Sequence, residues 1–269
     1  MGPTDSALPA TIDMVVARLD AIVEQAMRET SRLGYFAALY NRVTKAVRAG
    51  IRAGRFDDNP RMERLDVVFA NRYLDAYDTY RRGDAPTASW QVTFDAAANP
   101  RLSVLRHLVL GMNAHINLDL GIACATVAPG GQIDGLQADF NRINDVLGSL
   151  LPTVEAQLGE IAPRLGALAD VAHSMDRLDE RLGNFSMEKA RDGAWRFARR
   201  LARLDSRVAR EVSMAARDTA IAALGAELRS HERASALVSG RDWEDVAAHI
   251  RILAREDGAD GGGDRRARA

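Results

Sequence analysis

Leu102-Ser-Val-Leu-Arg-His-Leu-Val-Leu-Gly-Met-Asn-Ala-His-Ile-Asn-Leu-Asp-Leu-Gly-Ile-Ala-Cys-Ala125 is the stretch on which the fold turns. Leu105, Leu108, Val109, Met112, Ile116 and Leu120 recur at the three- and four-residue spacing of one helical stripe. Leu110, Ala114, Leu118 and Ile122 fall elsewhere around the same axis. A helix apolar on nearly every side is buried on nearly every side. The stretch therefore predicts a central helix, about Arg101 to Thr126, opened by Asn99-Pro100.

Its polar residues then need partners, because a buried polar group left alone costs a few kcal/mol and an unpaired charge more. They are His107, Asn113, His115, Asn117 and Asp119. Steps of four advance about 40° around a helix, so His107, Gly111, His115 and Asp119 lie on a slowly drifting line. Gly111 leaves room in that line for a ligand or a close helix. His115 and Asp119 can aim a ring nitrogen and a carboxylate at one point, which is half of a divalent-metal site. They can equally hydrogen-bond each other, or Asp119 can pair with a buried arginine in an interior network.

Working outward, helical periodicity continues on both sides. Ile12, Val15, Val16, Leu19, Ile22, Val23 and Met27 form a first helix with Thr11 placed to cap it. Phe36, Leu39, Val43, Val47 and Ile51 form a second, with Gly54 at its end. Asn59-Pro60 reads as the capped start of a third helix running to about Arg82. A short helix at Ser89–Ala98 precedes the central one, and Pro129-Gly130-Gly131 is the clearest loop. Further helices are expected near Ile133–Leu158, Pro163–His173, Met187–Leu204, Arg207–Arg229 and Trp243–Ala254, with Ser186 as an N-cap. No segment alternates as a strand does. The expectation is all-α: one multi-helix bundle over residues 1–256 around a buried central helix, and a disordered tail at 257–269.

Composition bounds the partners. A net charge of −1 gives no field to draw in nucleic acid or an anionic membrane, and there is no basic stripe. No uncharged run reaches the roughly 20 residues of a membrane span. No apolar run follows a basic N-terminal segment, so a cytoplasmic protein is expected. The single cysteine, Cys124, reads as a small buried hydrophobe. His173, His231 and His249 stand on polar segments and read as surface residues. No phosphate-binding glycine loop or serine-hydrolase elbow occurs.

Residues that could complete a site lie elsewhere in the chain. In Asp66-Val-Val-Phe-Ala-Asn-Arg-Tyr-Leu-Asp-Ala-Tyr-Asp-Thr-Tyr80, the residues Phe69, Tyr73, Tyr77 and Tyr80 make an aromatic ridge. Arg72 is the natural mate for a buried carboxylate, and Asp75 is a second candidate metal-facing acid. Asp139, early in the helix after the glycine loop, has either a dipole role or a place in the cluster. Arg191 and Trp195, four apart, read as a stacked pair or as an anion-binding arginine.

Phe-Ala-Asn-Arg-Tyr-Leu-Asp-Ala (69–76), Leu-Gly-Met-Asn-Ala-His-Ile-Asn-Leu-Asp-Leu-Gly (110–121) and Asn-Phe-Ser-Met (184–187) resemble a bacterial helical family of unknown function, over about Tyr35 to Leu204. That resemblance implies no activity. His107, Leu110-Gly111, His115 and Asp119 are also faintly similar to the helical zinc phospholipase C and P1-type nuclease group. That likeness implies zinc held by core-helix His and Asp. Gln137 and Asn141 stand where a His and a Glu would be wanted, so it implies at most one or two metals.

Three functions are open at this stage. The first is a hydrolase in which Zn, Mn or Fe, held by His115 and Asp119 with His107, Asp75 or Asp139, activates water on an ester or phosphoester, with Arg72 assisting. The second is a metal-free pocket between the third and fifth helices that binds or isomerises a small apolar molecule. Its candidate lining is Asn71, Tyr73, Tyr77, Asn113, Asn117, Arg191 and Trp195, with His115 and Arg72. The third is a structural protein whose polar cluster sets packing. Oligomeric state is not legible.

Overall fold

The computed structural model describes residues 8–161, 187–230 and 245–256. The expected helix Pro163–His173, the cap at Ser186, the start at Trp243, the tail, and His173 and His231 lie outside the described residues.

The protein is all-α, and no strand occurs among the described residues. The helices are α1 (Ile12–Arg28), α2 (Gly34–Arg52), α3 (Asn59–Arg81), α4 (Ala88–Ala96), α5 (Val104–Ala114), α6 (Gly121–Val127), α7 (Gln137–Ile161), α8 (Met187–Ala202), α9 (Arg207–Ser230) and α10 (Val246–Ala254). Thr11 caps α1 by accepting from the Met14 amide, and Gly54 beyond α2 takes φ +68, open to glycine without steric cost. The cap of α3 is Asp58, which accepts from the Arg61 amide; Asn59 is the first helical residue and instead bonds the Phe56 backbone. Ser103, not Asn99, caps the central helix, so α5 starts three residues later than the Asn-Pro signal implies. The glycine loop tightens into a 3-10 turn, Gly130–Leu136, before α7 begins.

The central helix is not one regular element. Between α5 and α6 the chain makes a π-helical turn, His115–Leu120, all six residues of which are buried. π turns are rare and gather at functional sites. The widened turn leaves the Asn117 carbonyl to accept from Arg217 Nε of α9 at 3.0 Å. On either side, glycines permit close approach. A Cβ on Gly111 would lie 2.3 Å from Phe36 Cδ2 of α2, and one on Gly121 would lie 2.7 Å from Phe197 Cδ1 of α8. Room at Gly111 is thus taken by a packed helix. Around this axis, α2, α3, α4, α8 and α9 bury their apolar faces, with α1 packed on α2 and α3; Leu19, Tyr73, Trp90 and Phe197 are among the buried side chains. Val104–Val127 is the one described helix long and apolar enough to cross a bilayer, and 94% of its window is buried inside the protein. That is how a core helix behaves.

Candidate functional site

The π turn places His115 and Asp119 on one side of the central helix, fully inside the protein. Asp119 is saturated. Arg72 Nε of α3 donates to Oδ1 at 2.7 Å, Trp90 Nε1 of α4 donates to Oδ2 at 2.8 Å, and His115 Nδ1 stands 3.4 Å from that same Oδ2. Burial alone would raise the Asp119 carboxyl, but the Arg72 charge, with His115 and Trp90, outweighs it and holds the group below the usual carboxylate range. A carboxylate there makes Nδ1 the protonated nitrogen of a neutral imidazole, because only an N–H can donate to it. Burial pushes the imidazole's own pKa down, against the opposing pull of Asp119, so the neutral form is the resident one.

The His115 ring is gripped by aromatics. Phe69 stacks on it at 3.6 Å between centroids and 8° between planes, and Tyr40 meets it edge-on at 4.4 Å. The other ring nitrogen, Nε2, has no protein partner. His115 lines a cavity of about 540 Å³ between α2, α3, the π turn, α7 and α8. Most of that wall is apolar: Leu39, Val43, Met62, Phe69, Ile116, Leu120, Phe140 and Leu151 all contribute. The polar exceptions include Asp66, Tyr40 and Arg191.

Asp66 is the sharpest of these. It is buried, its Oδ2 has no hydrogen-bond partner, and burial, reinforced by the charge of Glu63, raises its pKa to about 7. The Tyr40 hydroxyl is likewise buried without a partner, and burial together with the Asp66 charge keeps it a neutral phenol. Unsatisfied buried polar atoms are uncommon in folded proteins, and three of them belong to residues that line this one cavity.

The sequence-level candidates divide sharply. His115, Asp119 and Arg72 come together. His107 is buried elsewhere, against Tyr35 with ring centroids 5.4 Å apart, and burial takes its pKa down to about 3. Asp75 is exposed. Asp139 is fully buried but committed to other work. It accepts from the Asp57 and Asp58 amides at 2.7 and 3.1 Å and from Arg61 and Arg142, tying the start of α3 to α7. Among the described residues no three His, Cys, Asp or Glu side chains converge on one point. With both Asp119 oxygens taken by Arg72 and Trp90, the donor set expected for Zn, Mn or Fe does not fit.

The expected lining also moves. Asn71 donates to the Pro9 carbonyl, Asn113 to the Ile221 carbonyl, and Asn117 to the Asn113 side chain. Tyr73 and Tyr77 are core residues, and Trp195 packs against Phe140 at 4.7 Å. Of the expected set, only His115 and Arg191 line the cavity, which does lie between the third helix and the central, fifth one, with α2, α7 and α8 closing its other sides. His249, read as a surface residue, is buried with Nδ1 3.5 Å from the Tyr35 hydroxyl. Cys124 is buried, and burial lifts its thiol to about 12.

Sequence reasoning missed Asp66, Tyr40 and Trp90. Asp66 had a signal: it precedes Tyr73 by seven residues, so it shares the aromatic face of α3. Trp90 had none, since nothing local marks an indole as partner to a carboxylate on another helix.

No curated protein and no solved structure matches the chain, so the likeness to zinc phospholipases and P1-type nucleases gains no support. One family does match, across α1 to α9 and through all the residues of this site. The chain belongs to the family of unknown function DUF5995, whose profile matches residues 12–231.

Proposed function

We propose that the cavity is an acid–base site for a small, largely apolar molecule, and that His115 Nε2 is its base. The supporting observation is that His115, buried, held at Nδ1 by Asp119 and clamped by Phe69 and Tyr40, has no protein partner at Nε2 and contributes to the wall of a ligand-sized cavity. A neutral imidazole with a fixed tautomer accepts a proton at the free nitrogen. Asp119 sets that tautomer and orients the ring. Because Arg72 already balances its charge, positioning outweighs stabilisation of the imidazolium.

Asp66 is the complementary acid. A carboxyl titrating near 7 is partly protonated at neutral pH and can give a proton to a developing oxyanion. In an isomerisation, the C–H next to a carbonyl breaks and its proton goes to His115 Nε2, while Asp66 delivers its own proton to the carbonyl oxygen. Where a C=C adjoins that carbon the product is a dienol, which takes the His115 proton at the far end of the conjugated system and returns the oxygen's proton to Asp66 as the carbonyl re-forms. Tyr40, a neutral phenol, is a second donor to that oxygen.

The test needs no knowledge of the natural substrate. The full chain, incubated with the apolar ketone 2-tetralone in D₂O, should accelerate exchange of its α-protons, read by proton NMR. His115→Ala and Asp66→Asn should each lower the rate, His115→Ala by about 100-fold or more. Exchange equal to buffer, or unchanged in His115→Ala, contradicts the proposal.

A further inference from the structure

Arg191 stands on α8, 5% exposed, in the wall of the same cavity. Its guanidinium lies 4.4 Å over the Phe140 ring, and one amino group donates to the Phe140 carbonyl. Its Nε has no partner, and no carboxylate among the described residues forms an ion pair with it. Glu188 and Asp192 contribute to the same rim but are exposed on α8, outside pairing distance.

A guanidinium withdrawn from water without a counter-ion is costly, and proteins ordinarily pair such groups or use them to hold an anion. Two other arginines illustrate the ordinary solution. Arg72 has Asp119 and Arg61 has Asp139, whereas Arg191, like the half-buried Arg217 of α9, has an aromatic face and one neutral carbonyl; of these two, Arg191 is the one that is fully buried and lines the cavity. Phe140 holds the guanidinium plane in place and so pre-sets the direction of its remaining N–H groups. The rest of the wall is apolar, so the anion it suits is one end of a molecule whose body fills the cavity.

We infer that the cavity's occupant carries a carboxylate that pairs with Arg191 while its apolar body extends along Phe140, Ile116 and Phe69. This rests on the acid–base pocket proposed above and narrows its ligand to amphipathic carboxylic acids. The planar two-oxygen group matches the guanidinium fork, and each charge-assisted bond is stronger than a neutral one.

The experiment compares decanoate with decan-1-ol, matched in chain length and differing in the headgroup, by calorimetric titration and thermal shift on the full chain at pH 7.5. Decanoate should bind at least about tenfold more tightly than the alcohol. Arg191→Gln should erase that preference while leaving decan-1-ol binding unchanged, and Arg191→Lys should restore part of it. Because the headgroup comparison is made on the unaltered chain, a poorly folding variant does not remove the test. Equal binding of acid and alcohol, or a preference that survives in Arg191→Gln, overturns the inference and leaves the pocket standing. Binding of neither overturns both.

Discussion

Arg72 Nε and Asp119 Oδ1 lie 2.7 Å apart, a paired charge in which the carboxylate is wholly buried and the guanidinium side chain is 30% exposed. The pair joins α3 to the π turn, and Trp90 brings α4 to the same carboxylate. Truncating one partner leaves the other charge, and here an indole N–H as well, without compensation. Asp119→Ala is therefore expected to cost about 3 kcal/mol in urea denaturation, with Asp119→Asn intermediate because it keeps one acceptor. A cost below about 1 kcal/mol for Asp119→Ala would show that the network contributes little to the fold.

The crossing of α5 and α2 depends on the absence of a side chain at Gly111. An alanine there would place Cβ 2.3 and 2.4 Å from two atoms of the Phe36 ring. Gly111→Ala should destabilise by about 2 kcal/mol despite alanine's better helix propensity. Phe36→Leu should recover part of the loss in the double variant, giving a coupling of more than about 0.5 kcal/mol in the cycle. Additive effects would place the strain somewhere else.

Asp66 makes stability depend on pH in a definite direction. Its folded pKa is raised to about 7, whereas an unfolded aspartate titrates near 3.9. Between those values the folded chain holds a proton that the unfolded chain has released. This contribution is present at low pH, declines by about 1.4 kcal/mol per unit as pH rises through that window, and levels off above 7. The imidazoles of His107 and His115 work oppositely. Both are held neutral by burial, so their contribution is lost as pH falls below about 6.5 and the unfolded chain protonates. Comparing the protein with Asp66→Asn removes the histidine contribution from the difference. The advantage of Asp66→Asn should grow steadily from pH 5 to 7 in urea midpoints, and a pH-independent gap would contradict it.

Legibility followed the range of the interactions. Periodicity and end signals located the helices, because amphipathic spacing and caps are local; Thr11 and Gly54 behave as the sequence implies. Asp58 displaced Asn59 as the cap of α3 because either can accept from a first-turn amide, and the loop geometry chose between them. The π turn was invisible, since its six residues are all buried and pattern as an ordinary core helix. At the site, the pairing of His115, Asp119 and Arg72 could be anticipated from the cost of burying a charge. Asp139 misled because its place early in a helix beside the central one suggested a dipole role or a place in the cluster, whereas the partners that satisfy it, the Asp57 and Asp58 amides, lie in a distant loop. Asp66 was passed over because a carboxyl with no partner is the arrangement that rules of satisfaction discourage.

The most direct measurement is the protonation of one ring. Long-range proton–nitrogen NMR correlation on histidine-labelled protein reports, for His115, which nitrogen carries the proton and at what pH the second one is added. The account predicts an Nδ1–H, Nε2-bare imidazole that stays neutral below the ordinary titration near 6.5. A ring protonated at both nitrogens at pH 7, or one bearing its proton on Nε2, would contradict it.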